Sequence, residues 1–148
     1  MNKTKYFHIL ASILVGIVFV INIQAGFDFF FNPQKFTKAF ELAGTPGEIS
    51  VAGVGLLFIM WNVPYVFAIV NPVKYSISLL QAIIMQLLGV AGETILYLRI
   101  PEQSHQLMKE SIMRFIIFDF AGFIFLIMAG AMIVKLLKEQ RGKSFHAV

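Results

Sequence analysis

Three charged residues, Glu93, Arg114 and Asp119, lie inside long apolar segments whose neighbours are mostly Leu, Ile, Phe, Gly and Ala. A charge at the centre of an isolated membrane-spanning helix costs at least about 2.5–3.5 kcal/mol. Such side chains usually face the interior of a helix bundle and find a partner there. A carboxyl group at that depth can exchange a proton, or hydrogen-bond to an amine or a quinone carbonyl. These residues are therefore the first candidates for a ligand-binding site.

Uncharged polar residues lie in the same kind of segment. Gln86 comes seven residues before Glu93, on the same face of a predicted helix. Asn62 and Tyr65 are three residues apart on one face, and Pro64 between them should bend the helix. Hydrogen bonds between helices explain such residues, but a bent helix facing Gln86 and Glu93 would line a ligand pocket. The predicted ligand-binding residues are therefore Asn62, Tyr65, Gln86, Glu93, Arg114 and Asp119.

The pairing of the three charges has two interpretations. Arg114 and Asp119 are five residues apart, about 140° around a helix, so they are poorly spaced to pair within it. Arg114 is better placed to reach Glu93 on a neighbouring helix, or to extend to the lipid headgroups. An ion pair between helices explains the charges slightly better than a protonatable site or a ligand clamp does.

The composition places these residues in a membrane protein. The chain has 148 residues, of which 58% are hydrophobic and 14% charged. A soluble domain of this length could not bury so much apolar surface, whereas four of its segments are long enough to cross a hydrocarbon core of about 30 Å. We predict an all-α protein, a four-helix transmembrane bundle with a short interfacial helix. It forms one integral membrane domain, residues 1–148, with spans at about 6–25, 50–70, 75–98 and 111–134 and the interfacial helix at about 33–43.

The first apolar segment permits a second interpretation. Lys3 and Lys5, followed by an apolar run that ends near Gln24 and Ala25, are also typical of a signal peptide. Its removal would leave three helices. The length of the run and the three spans that follow it favour a retained helix.

The basic residues orient the bundle. One predicted side of the membrane carries seven of them, namely Lys3, Lys5, Lys74, Lys135, Lys138, Arg141 and Lys143. The opposite side carries five, namely Lys35, Lys38, Arg99, Lys109 and Arg114. The basic excess marks the cytoplasmic face, so we expect both termini in the cytoplasm, in the cytoplasmic membrane of a bacterium. The basic residues form no stripe interleaved with aromatics, and we therefore expect no nucleic-acid partner.

The interfacial helix is predicted from the first extracytoplasmic loop. Pro33 is a favoured first helical residue, and Gly44 is typical of a helix C-terminus. Phe36 and Phe40 fall four residues apart on one face of this helix. We expect the two rings to lie in the headgroup boundary. An alternative is that they form a hydrophobic lid over a lateral entrance for a lipid or a quinone.

The order of these elements resembles the DoxX-like group of small four-helix membrane proteins. The matching motif is Phe31-Asn32-Pro33-Gln34-Lys35-Phe36 through Ala43-Gly44-Thr45-Pro46-Gly47. The resemblance covers the layout of nearly the whole chain, but this loop is its only sequence motif. The resemblance implies a role in a membrane redox complex, because some members of the group are subunits of quinone-reducing thiosulfate oxidoreductases or partners in oxidative-stress complexes.

The sequence carries no recognisable catalytic or cofactor motif. There is no cysteine, which excludes thiol–disulfide chemistry and iron–sulfur ligation by this chain. No two histidines share a helix face within the predicted membrane, and His105 is expected to be a solvated loop residue. We therefore predict no catalytic residue, no cofactor and no metal site, and an enzyme acting alone is disfavoured.

Three functions from different classes fit these observations. The first is a non-catalytic accessory or assembly subunit of a membrane complex, in particular a redox complex. The second is a binder of an amphipathic lipid, quinone or small molecule in an intramembrane pocket near Glu93. The third is a proton-coupled carrier, which four helices would support only as an oligomer. The expected partners are the lipid bilayer and either other membrane proteins or further copies of the chain.

Overall fold

The computed structural model describes residues 3–101 and 103–145. Within them the chain is helical and contains no strand. The helices are α1 (Lys3–Phe31), α2 (Gly44–Trp61), α3 (Val63–Val70), α4 (Ser76–Arg99) and α5 (Gln106–Phe145). With α2 and α3 taken as one interrupted helix, the described residues contain four helices long and apolar enough to cross a membrane. The predicted all-α class is confirmed, and so is the number of helices long and apolar enough to cross a membrane. The side chains of Lys3, Arg141 and Lys143, which entered the charge count, lie outside those described.

The helices pack around a small aliphatic core. α1 packs against α2 and α5, α4 packs against α5, and the short α3 packs against both α1 and α4. Val15, Leu126 and Ile133 are almost completely buried in this core, whereas large apolar side chains such as Ile77 and Leu98 point outward. Lipid tails solvate such a surface well, and water does not. The length of the helices and their apolar exterior indicate an integral membrane protein.

The second span is interrupted at Asn62. Pro64 has no backbone N–H, so it cannot continue the hydrogen-bond ladder of the helix. The N–H of Asn62 donates to the carbonyl of Ile59 at 3.2 Å. The carbonyl of Phe58, its usual acceptor, instead receives a hydrogen bond of 2.7 Å from Asn62 Nδ2. The bend predicted beside Pro64 is thus a break, and the Asn62 side chain satisfies the carbonyl that the break releases.

The loop after α1 differs from the predicted helix. It forms two 3₁₀ turns, Pro33–Lys35 and Thr37–Phe40, in place of one continuous helix. The second turn ends at Glu41 in a left-handed conformation with φ of 56°. Gly44, also left-handed with φ of 64°, begins α2 and does not end the loop helix. The predicted helix boundary at Gly44 is therefore wrong, because that glycine supplies the turn into the next span.

An aromatic cluster explains why this loop lies against the bundle. Phe29, which is buried at the end of α1, has its ring centroid 4.3 Å from that of Phe36 and 6.1 Å from that of Phe40. Its centroid also lies 5.8 Å from the ring of Phe115 on α5 and 6.1 Å from that of Phe58 on α2. Aromatic pairs at such separations are favourable. Phe36 and Phe40 therefore pack against the bundle, and their predicted place in the headgroup boundary stays a prediction.

Candidate ligand-binding site

Three predicted site residues form one hydrogen-bonded chain across three helices. Tyr65 on α3 donates from Oη to Gln86 Oε1 on α4 at 2.7 Å. Gln86 Nε2 in turn donates to Asp119 Oδ1 on α5 at 2.8 Å. All three side chains are buried. The tyrosine hydrogen bond orients the Gln86 amide, because only its nitrogen is then left to face the Asp119 carboxyl group.

A small cavity, which we call the polar chamber, adjoins this chain of hydrogen bonds. Its volume is about 10 Å³, which is room for roughly one water-sized sphere. Asn22 and Asn62, which are also buried, line it, and their Oδ1 atoms have no hydrogen-bond partner among the described residues. The complete lining is Asn22, Phe58, Trp61, Asn62, Tyr65, Met85, Gln86 and Asp119.

Glu93 lies beside a different and much larger cavity, which we call the Glu93 pocket. Its volume is about 320 Å³. Its walls come from α1, α2, α4, α5 and the loop after α1, and most of them are apolar. The other polar side chain in the lining is Ser50, whose hydroxyl donates to the carbonyl of Pro46 at 2.8 Å. The aromatic part of the wall consists of Phe29, Phe40, Phe58 and Phe115.

The Glu93 carboxyl group has an unpaired oxygen in this wall. Its Oε2 is buried and has no hydrogen-bond partner among the described residues. No Lys, Arg or His lines the pocket in the part of the chain that the structure describes. A buried polar atom without a partner costs about 1–3 kcal/mol, and more when it is charged. The pocket therefore offers one strong hydrogen-bonding position in otherwise apolar surroundings.

Arg114 does not reach Glu93. Its side chain is 82% exposed and lies 4.0 Å from Glu110, one turn earlier on α5. It lines a surface hollow together with Tyr97 and Lys109. The spacing of Arg114 and Asp119 directs the two side chains to different sides of α5, and of the two, Asp119 is the one that hydrogen-bonds to a described residue of α4, Gln86. The favoured prediction of an ion pair between Arg114 and Glu93 is wrong.

The six predicted residues therefore divide among three places. Asn62, Tyr65, Gln86 and Asp119 line the polar chamber, Glu93 lines its own pocket, and Arg114 lies on the surface. The chamber and the pocket are neighbours, since Phe58 contributes to the wall of both. The carboxyl groups of Glu93 and Asp119 thus lie in adjacent cavities, of which the first is mostly apolar and the second polar.

A contact between two loops, which we call the clasp, lies next to the Glu93 pocket. His105 Nδ1 contacts Glu41 Oε2, and both residues have left-handed backbones with φ of 59° and 56°. Glu41 lies between two pocket-lining residues, Phe40 and Leu42, and His105 comes three residues before a third, Met108. His105 is the exposed loop residue expected from the sequence, and it also contacts Glu41. The partners are 64 residues apart, and no local sequence signal marks the contact.

The comparisons with known proteins assign no family. No protein-family model matches the chain, and no curated protein or solved structure is significantly similar to it. The resemblance to the DoxX-like group stays a prediction.

Proposed function

We propose that this protein binds an amphipathic small molecule within the membrane. The apolar body of the ligand occupies the Glu93 pocket, and a head group that donates hydrogen bonds, above all an amine, contacts Glu93. The observation that carries this proposal is the buried, unpartnered Oε2 of Glu93 in the wall of an apolar cavity of about 320 Å³.

The size and lining of the pocket support this class of ligand. Small-molecule sites are typically cavities of about 300–1,000 Å³ with apolar walls and a few polar groups that orient the ligand. The Glu93 pocket is at the small end of that range. Its single free polar group suits an unbranched hydrocarbon chain or a small ring system with one polar end.

The carboxyl group of Glu93 determines which ligand head groups the pocket favours. An ammonium group would give Glu93 both a hydrogen bond and a counter-charge, and such charge-assisted hydrogen bonds are about twice as strong as neutral ones. A fatty acid or a phosphate would place a second negative charge beside the carboxyl group. No basic side chain among the described lining residues would offset that repulsion. We therefore expect amines to bind better than alcohols, and alcohols better than carboxylic acids.

The clasp supports a role for the loop after α1 as a cover. Phe40 and Leu42 form part of the pocket wall, and Glu41 between them is held to His105 at the start of α5. Movement of this segment would open the pocket. This arrangement favours the lid suggested for Phe36 and Phe40 over their role as headgroup anchors.

The test is a titration of the purified protein in detergent with dodecylamine, dodecanol and dodecanoic acid, measured by calorimetry. We expect saturable binding of the amine, weaker binding of the alcohol and none of the acid. Glu93→Gln should weaken amine binding by roughly tenfold or more, because it removes a charge-assisted hydrogen bond worth about 1.5–3 kcal/mol. Glu48→Gln, which changes an exposed carboxylate on α2, is the matched control and should bind like the unmodified protein.

Three results would contradict the proposal. If Glu93→Gln binds the amine as tightly as the unmodified protein, Glu93 does not contact the head group. If the acid binds as well as the amine, the ligand recognition is not electrostatic. A quinone that binds more tightly than the amine would likewise replace the proposed ligand class.

The placement in the membrane is part of the proposal. Contacts between Lys135 and the ring of Phe7, at 5.6 Å, and between His8 and Asn71, at 3.3 Å, hold the start of α1, the loop before α4 and the last part of α5 at one end of the bundle. This end carries the basic excess, and we assign it and both termini to the cytoplasm. The clasp and the loop after α1 then lie at the outer face. Roles as a subunit of a membrane complex or as a proton-coupled carrier stay predictions.

A further inference from the structure

The polar chamber contains buried hydrogen-bond acceptors that have no donor among the described residues. Asn62 has its amide nitrogen engaged with the carbonyl of Phe58, so its oxygen is the atom left without a partner. Asn22 Oδ1 is likewise buried and unpartnered among the described residues. Asp119 Oδ1 accepts a hydrogen bond from Gln86. Tyr65 has donated its hydroxyl hydrogen to Gln86, so its oxygen adds a further lone pair to the chamber wall.

Among the described residues, no basic side chain in the chamber wall offsets these oxygens. The described lining of the chamber includes no Lys, Arg or His, and Asp119 is its only carboxyl group. Oxygen atoms from carboxyl, amide and hydroxyl groups are the ligands that hard cations prefer. One carboxylate balances one monovalent cation, whereas a divalent cation usually takes more carboxylate ligands or keeps several waters. A cavity of about 10 Å³ has room for a single small ion.

The position of the chamber at the helix break also favours a bound cation. Irregular backbone at membrane depth is tolerated where it lines a cavity, and broken helices in membrane proteins supply oxygen ligands to sodium ions. Here the break between α2 and α3 places Asn62 in the chamber wall, opposite side chains from α1, α4 and α5. We propose that the polar chamber binds one sodium ion, with Asp119, Asn22, Asn62 and Tyr65 supplying the oxygen ligands.

The sole tryptophan of the chain provides the readout. Trp61 lines the chamber, so its fluorescence should respond when the chamber is filled. Purified protein in detergent is titrated with NaCl, with choline chloride added to hold the ionic strength constant. We expect a saturable change with sodium and no change with choline alone. Potassium, which is larger, should act only at concentrations at least about tenfold higher.

Three variants locate the site. Asp119→Asn should abolish the sodium response, because it removes the only charge among the ligands. Asn22→Ala should weaken sodium binding by at least about tenfold, a loss typical of a removed contact in a metal site. Glu48→Gln, which changes an exposed carboxylate on α2, should leave the sodium response unchanged. The ligand-binding proposal is tested by amine binding, a separate readout, so either proposal can fail while the other holds.

The proposal is overturned if choline and sodium give the same change, or if the sodium response survives Asp119→Asn. A fluorescence change that follows pH and ignores sodium would also overturn it. Circular dichroism of each variant checks that it is folded. If Asp119→Asn does not fold, Asn22→Ala decides the question, because Asn22 Oδ1 accepts no hydrogen bond from another described residue. Undiminished sodium affinity in Asn22→Ala would then contradict the site.

Discussion

Gln86 and Asp119 form a hydrogen bond of 2.8 Å between α4 and α5, and each is seated on a glycine of the opposite helix. A Cβ atom added to Gly89 on α4 would overlap Asp119 Oδ2. A Cβ added to Gly122 on α5 would lie 2.9 Å from Gln86 Nε2. Helices in membranes associate through such close approaches and through polar contacts between them. The two glycines therefore make the space in which the polar side chains meet.

Gly89→Ala should destabilise the protein by about 1–3 kcal/mol, the usual cost of forcing an extra methyl group into a packed contact. Gly92→Ala is the matched control on the same helix, since no atom lies within 4 Å of a Cβ at that position. It should leave stability unchanged or raise it by up to about 1 kcal/mol, because alanine favours the helix. Unfolding followed by circular dichroism in mixed detergent micelles measures both. Equal stabilities for the two variants would contradict the packing described between Gly89 and Asp119.

Tyr65→Phe should lower the free energy of unfolding by about 0.6–1.5 kcal/mol, because Gln86 Oε1 loses its donor in a buried site. Tyr6→Phe removes the same hydroxyl from a side chain that is 49% exposed and should have no effect. The same unfolding assay distinguishes them. A Tyr65→Phe protein as stable as the unmodified one would mean that the hydrogen bond to Gln86 adds no net stability.

Asn62→Ala should lower the free energy of unfolding by about 1–2 kcal/mol, because the carbonyl of Phe58 loses its hydrogen bond. Pro64→Ala supplies the missing backbone N–H and lets α2 and α3 join. In the Pro64→Ala background the N–H of residue 62 can donate to the Phe58 carbonyl. Asn62→Ala should therefore lower the free energy of unfolding by a smaller amount there. A double-mutant cycle measures the difference. The same cost in both backgrounds would show that Asn62 does not compensate for the helix break.

Cross-linking tests whether the clasp controls access to the Glu93 pocket. The chain has no cysteine, so a Glu41→Cys/His105→Cys double variant can be joined by a short, reducible, thiol-specific reagent. We expect slower binding and slower release of dodecylamine in stopped-flow experiments, with both rates restored by reductant. Single-cysteine variants treated with the same reagent serve as controls. Unchanged rates in the cross-linked protein would show that ligands enter elsewhere.

The sequence predicted the four long apolar helices well, because the length and hydropathy of a segment are local properties of the sequence. It predicted the interruption beside Pro64 for a similarly local reason, the missing N–H. The short helix in the loop after α1 was predicted less well. Its rings pack on Phe29 at the end of α1 and on Phe115 of α5, which is distant in sequence, and this packing favours two short turns over one helix.

The sequence predicted which kinds of residue belong to the candidate site, but it did not predict how they are arranged. α5 is apolar around most of its circumference, so its sequence does not show that Asp119 faces α4 while Arg114 faces outward. The rotation of α5 about its axis decides whether Arg114 pairs with Glu93 or leaves it without an ionic partner. Asn22 is one of several polar residues in the apolar first helix, and nothing local in the sequence shows that it shares a chamber with Asn62, because that depends on helix packing.

The most direct test of the account is to map a photoactivatable long-chain amine bound to the protein. After irradiation, mass spectrometry identifies the labelled residues. We predict labels on the pocket-lining residues Leu96, Met108 and Phe115, and a strong reduction of those labels in Glu93→Gln. Labels spread over outward-facing residues such as Ile77 and Leu98, with equal intensity in both proteins, would contradict a binding site at Glu93.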